Sequence, residues 1–498
     1  MINSEEYRDK VKGCWLGKGI GGNLGMPYEG CPKKLDLSFE NLPTKAIPND
    51  DLELQLLWIR VLEEQGAAIR SEHMAKASLT YTVYPDEYGI SKWNINRGIP
   101  PPLSGKHNNL FGDGLGAAIR SEIWACLFPG NPSMAAAYAR EDAIIDHHGN
   151  GVWAEQYLAA AESLAFISSS AKEALKGGLA YIPADCRLAQ ALHLVHSMHA
   201  RQAPSEEVYA AIIEQFGSPS FTDVSMNLAF MTLGLLYGQN KFEKSLLLAV
   251  NCGMDTDCTA ATVGSFLGIL LGDKAIPSRW REAAPQDLAL SDCLKGLGLP
   301  ETVDEATERT LALHDRVNHE LKTHPNPSFT SDVEDRLDDQ HQWLVFRYSG
   351  DAGYDFDPKD LKSIRDQPEK LGPHLIHARE IHLTLDDCLE SRGDTLHLLS
   401  WFTAPEDTPA FLMVCAEAGL TVWLDEKMVI NYHGRREPIP SFHRVEGGGT
   451  APIELEGGKT YALRIRLIGC PAALQLTVAL GRENSSYLDG IHFRAKIT

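Results

Sequence analysis

Apolar residues recur three and four apart through most of the first 320 residues, the spacing of helices that bury one face. The pattern predicts helices over residues 52–65, 131–145, 153–168, 186–200, 205–216, 225–237 and 242–252. Clusters of Gly, Pro and Asn, among them Gly21-Gly22, Pro100-Pro101-Pro102 and Gly149-Asn150-Gly151, read as punctuation between them. A charged amphipathic helix is expected over 301–321, after which Lys322-Thr323-His324-Pro325-Asn326-Pro327 breaks the periodicity. Beyond that break apolar and polar residues alternate. Strands are predicted at 395–401, 411–414, 420–424, 428–431 and 461–468, with turns at Asp425-Glu426-Lys427 and Gly457-Gly458-Lys459. The expected architecture is an all-α bundle over residues 1–322, then a linker and a smaller antiparallel β-sandwich over 323–498.

Composition narrows the class. A chain of 498 residues exceeds one ordinary core, in keeping with two domains. Its net charge of −21 argues against a nucleic-acid surface, which neutralises phosphates with Lys and Arg. Ten cysteines are scattered without a CxxC pair, as in a cytoplasmic protein whose thiols stay reduced. The start, Met1-Ile2-Asn3-Ser4-Glu5-Glu6, is too polar for a signal peptide. The longest apolar run, residues 263–271, is short and broken by glycines, so no membrane partner is expected.

Two acidic motifs carry the candidate chemistry. Asn49-Asp50-Asp51 opens one predicted helix, and Asp255-Thr256-Asp257 precedes a small-residue, apolar helix over 259–268. The bland reading is capping: Asn is a favoured N-cap, and acids in the first turn complement the helix dipole. Capping needs one acid, however, and a second before a buried helix is excessive. If the fold brings the two motifs together, four carboxylates converge, each pair at about 4 Å repelling by roughly 4 kcal/mol at an effective dielectric near 20. Such a cluster calls for hard cations, Mg, Mn or Ca.

Other motifs are less decided. Residues 112–120, Gly-Asp-Gly-Leu-Gly-Ala-Ala-Ile-Arg, either cradle an anion or pack a loop closely against a helix. Asp146-His147-His148 follows a helix, where histidine suits the dipole better than a zinc ion. Glu29, in a turn after a glycine-rich helix, is by itself an anonymous surface acid.

In this order the motifs resemble the ADP-ribosylglycohydrolase family, of the dinitrogenase-reductase-activating glycohydrolase type. Residues 13–25 look like that family's opening glycine-rich helix, ending in an acid at Glu29. Asn49-Asp50-Asp51-Leu52 looks like its Thr-Asp-Asp-Thr, and Asp255-Thr256-Asp257-Cys258 like its Asp-x-Asp-Thr. Residues 116–120 resemble its Gly-Ala-Ala-Met-Arg, and residues 142–147 its Asp-Ala-x-x-Thr-His. The similarity spans roughly residues 8–300. It implies an all-α catalytic bundle, a glycosyl hydrolase that cleaves an N- or O-glycosidic bond at the anomeric carbon of a ribofuranosyl-type group, and one or two Mg ions. The implied metal residues are Asn49, Asp50, Asp51, Asp255, Asp257 and Cys258. Glu29, Asp50 and Asp257 are the implied catalytic residues, Glu29 handling the proton of the attacking water. Substrate contacts are implied for Trp93, Asn108, Gly114, Gly116, Arg120, Asp146 and His147.

Asn49, Leu52 and Cys258 stand where the family has threonines. Thiol sulfur is soft, so one cation position is expected to be altered or to prefer Mn or Ca. Insertions containing Tyr88, Trp93, Asn94, Asn96 and residues 104–109 are expected to rebuild the substrate rim. Substrate alternatives are a free carbohydrate furanoside or nucleoside in place of a protein-linked one, and a different class is a non-catalytic structural relative, since this fold has been reused as a lens crystallin. The C-terminal part resembles PA14-like or carbohydrate-binding sandwiches through residues 419–430 and 457–465, with covering the helical domain or building a homo-oligomer as its plain role.

Overall fold

The computed structural model describes residues 2–294, 298–325, 327–334, 341–348, 373–432, 441–442, 449–482 and 486–495. The chain divides into two compact units, Met1–Val333 and Glu334–Thr498.

The first unit is helical. In chain order its helices are α1 (Ser4–Gly25), α2 (Asp50–Gln65), α3 (Ser71–Tyr81), α4 (Asp86–Asn96), α5 (Ser121–Leu127), α6 (Pro132–Ala143), α7 (Asn150–Ala165) and α8 (Ala171–Gly178). They continue with α9 (Arg187–Ala200), α10 (Ser205–Phe216), α11 (Val224–Gly238), α12 (Phe242–Val250), α13 (Thr256–Leu271), α14 (Ser278–Ala283) and α15 (Val303–Thr323). Every helix expected from periodicity is present. Asn131 caps α6 by accepting from Met134 N, with Pro132 at its first position, and Thr302 caps α15 by accepting from Glu305 N. Gly21-Gly22 does not punctuate: both lie inside α1, for a packing reason given below. The helical unit also runs past the expected end at residue 322. Phe329 meets Tyr138 edge to face at 5.3 Å, and Thr330 Oγ1 donates to Glu141 at 2.7 Å, which ties the segment after α15 back onto α3 and α6. Asn326 lies outside the described residues.

Helix α13 sits at the centre, buried from Thr256 to Leu270, as its apolar sequence on every side requires. It packs antiparallel against α1 with almost nothing between the backbones. A Cβ at Gly13, Gly17, Gly21 or Gly25 would collide with the backbone of Gly268, Gly264, Ala260 or Thr256 respectively. Glycine at every fourth position thus makes a bare stripe along α1. Each helical glycine costs up to about 1 kcal/mol of propensity relative to alanine; the close approach of the two backbones is what it gives in return.

The second unit is a β-sandwich of antiparallel strands: β1 (His341–Tyr348), β2 (His374–Ala378), β3 (His382–Thr384), β4 (Thr395–Thr403), β5 (Thr408–Ala416), β6 (Gly419–Leu424), β7 (Lys427–Tyr432), β8 (Thr450–Leu455), β9 (Thr460–Ile468) and β10 (Gln475–Gly481). One sheet has the order β2-β1-β4-β9-β6-β7 and the other β3-β10-β5-β8. Trp343, Leu398, Val414, Val422, Leu463 and Val478 belong to their shared core. The five expected strands are here, and five more were not expected. Strand β10 is buried along nearly its whole length and so lacks alternation. In β8, Pro452 argues against a strand, yet β8 is an edge strand, where a missing N–H is harmless.

Candidate active site

The end of α1 is the hub on which the site is assembled. Its last glycines bring it against the first turn of α13, and Thr256 Oγ1 donates to Gly25 O at 2.8 Å. Asn23 Oδ1 accepts from Ile47 N at 2.9 Å, which draws in the segment leading to α2. Gly22 faces the Asn49 amide directly. The turn after α1 pairs with the turn before α13: Gly30 N donates to Met254 O at 2.9 Å and Met254 N to Cys31 O at 2.6 Å. That pairing needs a left-handed backbone at Gly253 and Met254, with φ of +79° and +63°. Segments far apart in the chain, around Glu29, Asn49 and Asp255, are thereby held at one end of the α1–α13 pair.

Asn49 caps α2 as the sequence suggested, which engages the amide oxygen expected at a cation, and it adds a bridge that was not expected. Its Oδ1 accepts from Asp51 N at 2.7 Å, capping α2, while its Nδ2 donates to Asp257 Oδ2 at 3.3 Å and so bridges the two acidic motifs. Asp51, Asp255 and Asp257 are at most 2 % exposed. Ligand atoms of Asp51, Asp257 and Cys258 lie within 4.8 Å of one another. Asp50 is half-buried, and Glu29 is exposed at the edge of the group.

Electrostatics register the crowding. Burial, and next the charge of Glu29, push the Asp255 carboxyl up to about 7. Burial, then Asp255 and Asp51, push Asp257 well above the usual carboxylate range. Asp51 is raised mainly by burial, with Lys18 opposing, and Asp50 by burial and Glu53. Asp51 Oδ1 and Oδ2, Asp255 Oδ1 and Asp257 Oδ1 are shut from solvent without a hydrogen-bond partner. Buried carboxylate oxygens normally have such partners, so these residues fit divalent cations, with oxygen donors for a hard ion and one sulfur beside them.

Behind the acids lies a support that sequence reasoning missed. Lys18, wholly buried, sits 2.7 Å from Glu122 Oε1 and 3.7 Å from Asp51 Oδ1. Burial opposes its charge, but Glu122 and Asp51 outweigh that and hold it protonated. Gln55 Nε2 and Ser265 Oγ donate to the two Glu122 oxygens at 2.9 and 2.7 Å. Lys18, Gln55, Glu122 and Ser265 lie on four different helices, so no local pattern marked the group.

The residues expected to touch substrate form a second cluster. Arg120 is fully buried; NH1 and NH2 donate to the two Asp146 oxygens at 3.0 and 2.9 Å, and NH2 also reaches Asp142 at 2.9 Å. His147 Nδ1 lies 2.7 Å from Asp146 Oδ1, while Nε2 accepts from Ala117 N at 3.2 Å. That assigns a neutral ring with its proton on Nδ1, in line with a pKa lowered chiefly by burial. Trp124 Nε1 donates to Asp142 and Glu155, both at 3.0 Å. Most of the polar atoms of Arg120, Asp146 and His147 are thus engaged with one another and with the backbone, Arg120 Nε excepted.

The glycine loop packs closely against its neighbours, with five of its amides engaged. The amides of Gly114, Leu115, Ala117, Ile119 and Arg120 are already donated within the protein, and a Cβ on Gly116 would collide with Glu87 and crowd the Tyr88 hydroxyl. Asn108 is buried with φ +59°, and Asn109 Nδ2 anchors its loop to Asp146 O at 2.7 Å, so residues 104–109 line the wall more than a rim. Trp93 is half-buried, with the Arg97 guanidinium 4.5 Å over its ring. The two clusters approach each other at Tyr88. Its hydroxyl donates to Gly116 O at 3.0 Å, its ring lies 5.7 Å from the Arg120 guanidinium, and Asp50 contributes to its raised pKa, after burial and Glu87.

Comparison with known proteins agrees with this architecture. A family model described as ADP-ribosylglycohydrolase matches residues 3–319, well over half of the chain, and the protein belongs to the ADP-ribosylglycohydrolase family. Members of that family are glycohydrolases and generally depend on divalent metal. An uncharacterized protein of Archaeoglobus fulgidus is 27% identical over 340 residues, covering 62% of this chain and 98% of its own. A solved structure described as an ADP-ribosylglycohydrolase-related protein complex is 22% identical, covering 63% of this chain and 99% of that one with a TM-score of 0.45. An anti-sigma factor domain-containing protein covers 33% of this chain and 49% of its own at 11% identity, with a TM-score of 0.22. Among the described residues no helix is long and apolar enough to cross a membrane.

Proposed function

We propose that the helical domain hydrolyses the N- or O-glycosidic bond at the anomeric carbon of a ribofuranosyl-type group, at a divalent-cation centre of the Mg type held by Asp50, Asp51, Asp255 and Asp257. The observation that carries this reading is the set of buried carboxylate oxygens on Asp51, Asp255 and Asp257 that have no hydrogen-bond partner. Bound cations would grip a cis-diol and acidify a water molecule. The protein's own groups then divide the remaining work. Glu29, exposed at the edge of the cluster, takes the proton of the attacking water. Asp257 is oriented by the Asn49 amide. Asp51 is held from behind by Lys18, which Glu122 keeps in place. Asp50, half-buried and within electrostatic range of Tyr84 and Tyr88, faces the aromatic side where a sugar ring would lie.

The ten cysteines, all free, suit a reducing cytoplasm. The PA14-like or carbohydrate-binding identity of the sandwich belongs to this proposal and rests on the resemblance of residues 419–430 and 457–465.

The test is a panel of ADP-ribosyl-arginine, ADP-ribosyl-serine, nucleosides and aryl furanosides, with Mg, Mn or a chelator, followed by chromatography of the released sugar. Cation-dependent release that Glu29→Gln and Asp257→Asn both abolish is the expected result. Turnover of the free sugars alone would move the substrate out of the ADP-ribose class. No turnover of any compound would leave a non-catalytic relative.

A further inference from the structure

The sulfur among the carboxylates calls for its own account. Asp257 and Cys258 are consecutive in the first turn of α13, and Cys258 is 8 % exposed. Its Sγ shares a sphere of 4.8 Å with oxygens of Asp51 and Asp257. A neutral thiol is only a weak donor to those oxygens, and a bare thiolate would add charge to a group already short of cations. Lys18, the cation beside it, lies nearer Glu122 than Asp51. Two further facts point to an ion and not to a packing contact: Asp51 Oδ2 and Asp257 Oδ1 are buried without partners, and both belong to this same trio. Cys252, six residues earlier, differs, because its thiol bonds a backbone carbonyl, Leu248 O, at 3.3 Å, whereas the Cys258 thiol bonds a carboxylate of the cluster itself, Asp255.

We propose that one cation position of the centre is a mixed oxygen–sulfur site, with Asp51, Asp257 and the Cys258 thiolate as its protein ligands, selecting a borderline divalent ion such as Zn²⁺ over Mg²⁺ or Ca²⁺. The inference rests on the reading of the acid cluster as a divalent-cation centre. Thiolate favours softer ions, carboxylate tolerates both kinds, and the trio offers one of the former and two of the latter. On binding, the Cys258 proton leaves to water, and the cation replaces it as the positive partner of the sulfur.

Cobalt(II) reports the sulfur directly. The chelator-treated full chain is titrated with Co²⁺ and its absorption spectrum followed. The expected result is visible d–d bands together with a near-ultraviolet sulfur-to-cobalt charge-transfer band. In Cys258→Ser the charge-transfer band disappears while the d–d bands remain, and Cys252→Ser keeps both. Zn²⁺ affinity, read by competition with a chromophoric chelator, falls on the order of tenfold or more in Cys258→Ser, while the stabilisation given by Mg²⁺ persists. Cys258→Thr serves as a second variant should the serine form fail to fold. Wild-type d–d bands without charge transfer would overturn the sulfur ligand and leave the cation centre standing. A charge-transfer band that survives both Cys258 variants would also overturn it. Absence of any bands, with no divalent cation raising the melting temperature, would overturn the sulfur ligand and the cation centre together.

Discussion

The helical domain buries two ionic clusters that look alike in a list of residues and differ in physics. Around Arg120 opposite charges meet directly: one guanidinium holds Asp142 and Asp146, Asp146 also holds His147, and the surplus acid, Glu155, shares the Trp124 indole with Asp142. At the end of α1 they do not, since Asp51, Asp255 and Asp257 share one lysine that is closer to Glu122. Buried charge is thus no marker of a functional site by itself. A buried pair is broken at heavy cost when one partner is removed, whereas a surplus of one sign is relieved when a member is lost.

The contrast is sharpest under mutation. Arg120→Ala should lower stability by about 3–5 kcal/mol in chemical denaturation, because Asp142 and Asp146 are left buried and unpaired. Asp257→Asn should do the reverse to the cation-free protein, leaving it as stable as wild type or more so, while catalytic rate drops by about 10²–10³-fold and added cation no longer raises the melting temperature. Equal loss of stability in both variants would erase the distinction.

The pH response separates single members of the two clusters, Asp255 and Asp146. Asp255 rises from its ordinary 3.8 to about 7 in the folded protein. Between those values the folded state keeps a proton that the unfolded chain has lost, so stability falls as pH rises, and the loss is complete above about 7. The cation-free protein should therefore melt lower at pH 8 than at pH 5, and divalent cation should narrow the gap. Asp146 is shifted down, with Arg120 and His147 overcoming its burial, and contributes in the opposite direction, its stabilisation being lost toward acid pH, whereas burial pushes its neighbour Asp142 up to about 6, the same sense as Asp255. A flat melting profile in chelator from pH 5 to 8 would contradict the unbalanced cluster.

A smaller effect tests the scaffold that assembles the site. Gly17→Ala should cost about 1–3 kcal/mol by driving a methyl into Gly264 O. Gly19, with nothing within 4 Å of a Cβ, should gain up to about 1 kcal/mol as alanine. Melting curves of the two variants moving the same way would refute the packing account of α1.

Much of this was legible in the chain. Helices long enough for several turns of pattern announced themselves, and so did the acid pairs, because two carboxylates ahead of an apolar helix exceed what a cap requires. The Lys18–Glu122–Gln55 support was not legible: its members lie on three different helices, and only the fold sets them side by side. For Arg120, Asp146 and His147 the sequence gives the residue types but not that they bond largely to one another. Strand β10 was missed because burial on both faces removes the alternation that marks a strand.

The glycine stripe has one more consequence. Two rods meshed along bare backbone can shift only in whole steps, since a partial slide would set a carbonyl against a carbonyl. One step is the four-residue spacing of the glycines, about 6 Å at 1.5 Å per residue, enough to break the pairing between the turn after α1 and the turn before α13. The reaction centre is thus indexed like a toothed gear: it is in register or it is absent, and gradual misalignment is not among its failures.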